Sequence, residues 1–121
     1  MSAFDDLGEA QALQIWDGVH GRVVEGERIT LVLVELDAGA VVPTHSHPNE
    51  QLGILLEGSA EFVVGDERRR IGPGGSWRIL GGVPHEVRTG PDGAVLVESF
   101  SPVRDDWAGL GPSDTPRRWP R

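Results

Sequence analysis

Glycine and proline punctuate this chain so densely that no long helix can run through it. There are 17 glycines and 9 prolines in 121 residues, and both residue types interrupt regular elements. Between the breaks lie short apolar and β-branched runs. "RITLVLVEL" predicts a strand from Arg28 to Leu36. "QLGILLEG" and "SAEFVVG" predict two more, joined by a tight hairpin turn at "EGS" and closed by Glu57. Further turns are predicted at Gly65-Asp66, at "GPGG" and at "GPDG", with "SWRIL", "HEVRT" and "AVLVESFSP" as the strands around them. "LQIWDG" and "GRVVEG" read as short edge strands, and "RDDWAGL" has room for one helical turn. The tail from Gly109, "GLGPSDTPRRWPR", reads as disordered or as a loosely docked arm. Short strands at turn-separated intervals predict an all-β antiparallel sandwich or barrel. The length suits a single domain. The expected division is an N-terminal segment 1–27, a barrel 28–106 and a tail 107–121.

Charge and composition exclude several partners. The net charge is −8 and every basic residue is arginine, which disfavours nucleic acid and anionic membrane surfaces. There is no cysteine, hence no disulfide and no thiolate ligand or nucleophile. No run approaches the ~18 apolar residues of a membrane span. The N-terminus "MSAFDDLGEAQAL" is too acidic for a signal peptide, so the expected location is the cytoplasm.

The chemistry gathers at "PTHSHPNEQLG". Residues i and i+2 of a strand project to one face, so His45 and His47 stand side by side, as two imidazoles on one metal require. Pro48 and Asn49 predict a bend that returns Gln51 to the same place, and His85, fixed by Pro84, supplies a third imidazole. Of the four histidines, His20 is left over and reads as a surface turn residue. An HxH pair alone is weak, because exposed strands carry it by chance. The glycines strengthen it: Gly39 lies six positions before His45, and Gly58 seven after Gln51.

At these residues the chain resembles the cupins. Their first motif is matched in every spacing by Gly39, His45, His47, Gln51 and Gly58, and their second by Gly74, Leu80, Gly82, His85 and Thr89. Gln51 stands where the family usually has Glu, Leu80 where it has Pro and Thr89 where it has Asn. The resemblance implies a double-stranded β-helix, a jelly-roll barrel with metal and substrate inside, and often a homodimer. "VLVESFSPVRDDW" resembles more narrowly the C-terminal strand of the KdgF-type cupins of pectin degradation. Those proteins also use Gln as a metal ligand and help to linearise 4,5-unsaturated monouronates. Their acid, Phe and Arg fall on Glu98, Phe100 and Arg104, with Glu98 where that group has Asp. Their loop between the second His and the Gln can be one residue longer than here.

The residue chemistry agrees with this. Three neutral imidazoles and an amide oxygen leave a divalent ion its full charge, which suits a Lewis acid binding a small anionic oxygen substrate. The donor set accepts Zn, Ni, Fe, Mn or Co without choosing among them. Glu98 and Phe100 share strand parity. If their face is interior, Glu98 is a carboxyl tuned for acid–base work and Phe100 an apolar wall; otherwise Glu98 is an exposed strand residue. Arg104 suits a substrate carboxylate or, equally, a salt bridge with Asp105 or Asp106. Trp77 and Phe62 read as core or pocket wall. "RRR" at Arg68 to Arg70 reads as a solvated edge. The leading expectation is a lyase- or isomerase-type enzyme on a small acidic sugar. The alternatives are an Fe(II) dioxygenase and a non-catalytic binding or sensing module.

Overall fold

The computed structural model describes residues 2–120. Eight strands are present: β1 (Leu13–Trp16), β2 (Val19–Glu25), β3 (Thr30–Leu36), β4 (Val41–His45), β5 (Glu50–Val64), β6 (Glu67–Ile71), β7 (Ser76–Ile79) and β8 (His85–Ser101). Among the described residues one 3-10 turn, Asp105–Trp107, follows them. All strand pairings are antiparallel, in the order β1-β2-β3-β8-β5-β6, with β4 on β8 and β7 on β5. The architecture is the expected cupin jelly roll.

The spine is a ribbon of β5 and β8, strands of 15 and 17 residues paired along their length. On its outer edges β8 takes β3 and then β4, while β5 takes β7 and then β6. The expected hairpin at "EGS" and turn at "GPDG" are absent. The chain instead runs straight through both as bent strand, with register shifts between Leu55 and Glu57 and between Gly58 and Ala60. The reason is the conformation of two facing glycines. Gly58 has φ 82° and Gly93 φ 73°, so each bends its strand without ending the ladder. A Cβ on Gly58 would stand 2.0 Å from the Gly93 carbonyl oxygen, an approach only glycine permits.

The bend folds both halves of the ribbon around one core. Val32, Val34, Leu55 and Leu96 from one half meet Val42, Ala60, Phe62 and Val87 from the other. Leu33 and Leu55 are fully buried, each contributing about 1.5–3 kcal/mol relative to exposure. Trp77 and Phe62 stack in this core with ring centroids 4.3 Å apart. Arg68 to Arg70 are exposed on the edge strand β6.

Two further expectations are corrected, those for β2 and His20, and one alternative is decided. β2 is not an edge strand but lies between β1 and β3. Of the two readings of the tail, the docked arm is the one observed. Ser113 N donates to Ala12 O at 2.8 Å and Gln14 N to Gly111 O at 2.9 Å, while Arg118 N donates to the buried carboxylate of Glu35 at 2.5 Å. That carboxylate also pairs with Arg22, so the tail completes an otherwise half-satisfied buried acid. His20 is consequently no surface residue. It lies buried on β2, with Nδ1 2.5 Å from Ser113 Oγ and Nε2 3.2 Å from Asp37 Oδ1.

Candidate metal centre and its cavity

His45 ends β4 and pairs in register with His85 at the start of β8. Two strand ends from one half of the barrel thus deliver two imidazoles to one point, their centroids 4.3 Å apart. His47 follows in the connecting segment, 4.9 Å from His85. Ligand nitrogens of the three lie within 4.8 Å of one another. Gln51 enters at the start of β5 and brings its Oε1 to 3.0 Å from His47 Nε2.

The imidazoles are oriented as metal ligands would be. Each Nδ1 is engaged by a backbone carbonyl: Pro43 O for His45 at 2.8 Å, Asn49 O for His47 at 3.0 Å and Val83 O for His85 at 2.9 Å. A carbonyl only accepts, so Nδ1 carries the proton and Nε2 keeps its lone pair. Neutrality is favoured too. Burial, outweighing the Val83 hydrogen bond, holds His85 down to about 4. Burial, then the charge of Arg104, lowers His47. Three imidazoles whose Nε2 atoms keep a lone pair, with one amide oxygen, fit a divalent transition metal.

The cluster opens into a cavity whose lining includes Trp16, Gln51, Glu98, Phe100, Arg104 and Trp107. Phe100 faces Gln51 across the β5–β8 ladder, and Glu98 faces Gly53. Gln51 and Glu98 are therefore diagonal neighbours on one face. Gly53 offers no side chain there, and a Cβ on it would meet the Trp77 indole at 2.3 Å. Glu98 is 9% exposed, which decides between its two expected placements. Burial raises its carboxyl to about 7, against the opposing pull of Gln51 and Arg104. Phe100 packs edge-on to His47 at 5.6 Å.

Of the two expectations for Arg104, the salt bridge with a neighbouring acid is present: it pairs with Asp106, Nε to Oδ1 at 3.0 Å and Nη2 to Oδ2 at 2.9 Å. The side chain also reaches the cavity. Two aromatic residues at this end were not singled out as site residues in the sequence. Trp16 lies 5.4 Å from His45, and Trp107 lies 5.2 Å from Phe100. No local pattern distinguishes either from a core tryptophan. Glu50 is exposed, whereas Glu86 pairs with Arg88. Glu57 lies within β5 rather than closing a hairpin.

A β-barrel with a three-histidine cluster at one mouth defines a class. The Cupin domain family model matches residues 32–99, and the chain belongs to the cupin family. Over 96 residues it is 27% identical to the pectin degradation protein KdgF of Dickeya dadantii, spanning 78% of this chain and 87% of that protein. The solved structure of KdgF from Halomonas sp. matches with a TM-score of 0.79 at 26% identity, covering 88% of this chain and 98% of that one. A shorter stretch of 71 residues is 38% identical to the dimethylsulfoniopropionate lyase DddQ of Ruegeria pomeroyi, covering 58% of this chain but only 35% of that protein. Among the described residues no helix is long and apolar enough to cross a membrane.

Proposed function

We propose that this chain is a metal-dependent enzyme that opens and tautomerises a small unsaturated uronate. One observation carries the reading. A metal-fitting donor set shares a cavity with a buried carboxyl and a guanidinium, in a chain whose nearly full-length relatives include KdgF proteins.

His45, His47, Gln51 and His85 would hold the ion. When bound it supplies an electrophile for substrate oxygen. Arg104 binds the substrate carboxylate, and Phe100 forms the wall against which the ring lies. Glu98, a carboxyl that burial pushes up from the ordinary range, is placed for general acid–base work beside the ion. Its carboxylate takes the proton of the anomeric hydroxyl as the ring C1–O5 bond breaks and the electron pair goes to O5, giving an aldehyde at C1 and an enolate at C5. The carboxylic acid then gives that same proton to C4 as the enolate becomes a ketone. The net change is an isomerisation, and no co-reactant is consumed. The buried site keeps water from competing for this proton.

The test is conversion of 4,5-unsaturated galacturonate by metal-loaded protein, followed by NMR. Linear keto product above the spontaneous rate supports the reading, and none removes it. The DddQ similarity favours a second reading, a lyase on another small substrate. Dimethylsulfoniopropionate offered to the same preparation separates the two. Exposed Leu31, Leu52 and Ile54 on strands β3 and β5, which flank β8, support a homodimer, which light scattering checks.

A further inference from the structure

We infer that the 3-10 turn after β8 is a clamp that presents Arg104 to a ligand carboxylate through one edge of its guanidinium, with Asp106 as the positioning residue. This rests on the cavity being the binding site for an anionic molecule.

Four contacts fix Arg104. Its backbone N donates to Thr30 Oγ1 at 2.9 Å, and Thr30 is buried on β3. Its Cζ lies 4.7 Å from the Phe100 ring centroid and 4.3 Å from that of Trp107. The two rings are nearly perpendicular, at 76°, so the guanidinium sits in the angle between them, a cation–π arrangement on both sides. Asp106 takes Nε and Nη2. The Arg104 side chain is only 9% exposed, whereas lone surface arginines are usually mobile and solvated.

A guanidinium offers two bidentate edges, Nε/Nη2 and Nη1/Nη2. Asp106 occupies the first. The edge left for a ligand is Nη1/Nη2, on a residue that lines the same cavity as Gln51 and Glu98. Proximity to the histidines follows from Phe100, which lies under the guanidinium and whose ring centroid is 5.6 Å from that of His47. Asp106 therefore does two things. It fixes the rotation of the guanidinium plane, and it restricts incoming anions to end-on approach. The sequence "RDDW" places the acid and the indole two and three positions after the arginine, and the 3-10 turn brings both back onto it.

The probe is galacturonate binding to zinc-loaded protein by calorimetry, with galactose as the uncharged comparison. Wild type is expected to prefer galacturonate, Arg104→Ala to lose the preference, and Asp106→Asn to weaken galacturonate about 10-fold while leaving galactose unchanged. In the Arg104→Ala background Asp106→Asn should add nothing, an outcome a merely structural role would not give. Zinc content and thermal midpoint report folding of each variant. Trp107→Phe, which keeps an aromatic face, should retain most of the preference. Unchanged galacturonate affinity in Asp106→Asn, or no preference in wild type, overturns the inference. A preference that persists in a protein inactive on 4,5-unsaturated galacturonate upholds the clamp and removes only the proposed reaction.

Discussion

Gln51 joins the histidine cluster to the buried acid: its Oε1 lies 3.0 Å from His47 Nε2, and it is the diagonal neighbour of Glu98 on one face of the β5–β8 ladder, where it pulls that carboxyl down against burial. With the oxygen turned to the histidines, the amide is left its NH2, a donor, to offer that carboxyl. An amide has both an acceptor and a donor end, and a carboxylate has no donor. This accounts physically for glutamine where the family motif usually has Glu.

Gln51→Glu would set a second carboxylate against Glu98 and cancel one charge of a bound ion. Like charges so close cannot both ionise readily. The variant is expected to bind zinc at least as tightly in a chelator competition, yet turn over unsaturated galacturonate at least 10-fold more slowly. Unchanged turnover would mean that the neutrality of residue 51 does not matter.

Glu98→Gln tests the acid–base role. Loss of such a group typically costs about 100- to 10,000-fold in rate. The variant should retain metal and fold and lose turnover by that order. Full activity on the true substrate would remove Glu98 from the chemistry.

The same substitution has a pH signature in metal-free protein. The Glu98 carboxyl rises from 4.5 to about 7 on folding. Below pH 4.5 it is protonated in both states and costs nothing. Between 4.5 and 7 the unfolded chain releases the proton while the folded protein keeps it, so stability falls as pH rises. His85, held down to about 4 from 6.5, acts oppositely, adding stability as pH rises from 4 to 6.5. Both proteins keep His85, so it cancels in their difference. The thermal midpoint of Glu98→Gln minus that of wild type should therefore grow between pH 4.5 and 7 and then level off. A flat difference across that window would contradict the burial argument.

Arg104→Ala should act mainly on KM. If the guanidinium holds the substrate carboxylate, its removal raises KM for unsaturated galacturonate about 10- to 100-fold, as expected for a charge-assisted hydrogen-bond pair of roughly 1.5–3 kcal/mol. A methyl ester of the same sugar should be nearly indifferent to the substitution. Equal sensitivity of acid and ester would argue that Arg104 is only half of a surface ion pair with Asp106.

The metal cluster was legible because strand parity and short spacing are local properties. His45, His47 and Gln51 lie within seven residues of one another. His85 was reachable only as one of the few remaining histidines, placed by Pro84 and then by the second motif, since its pairing with His45 spans forty positions. The bent strands were not legible. The glycines that mark a hairpin are the same that let β5 and β8 bend without breaking, and only the partner strand decides between the two. His20 was misplaced because what buries it, Ser113, lies 93 residues away. The placement of Arg104 was undecidable from sequence, because one side chain both pairs with Asp106 and lines the cavity.

The most direct test is metal content after mild purification, with thermal midpoints before and after chelation and reloading. The account predicts about one divalent transition ion per chain in wild type, a midpoint that falls on chelation and recovers on reloading, and neither ion nor response in His47→Ala. A metal-free wild type that gains no stability from Mn, Fe, Co, Ni or Zn would contradict it.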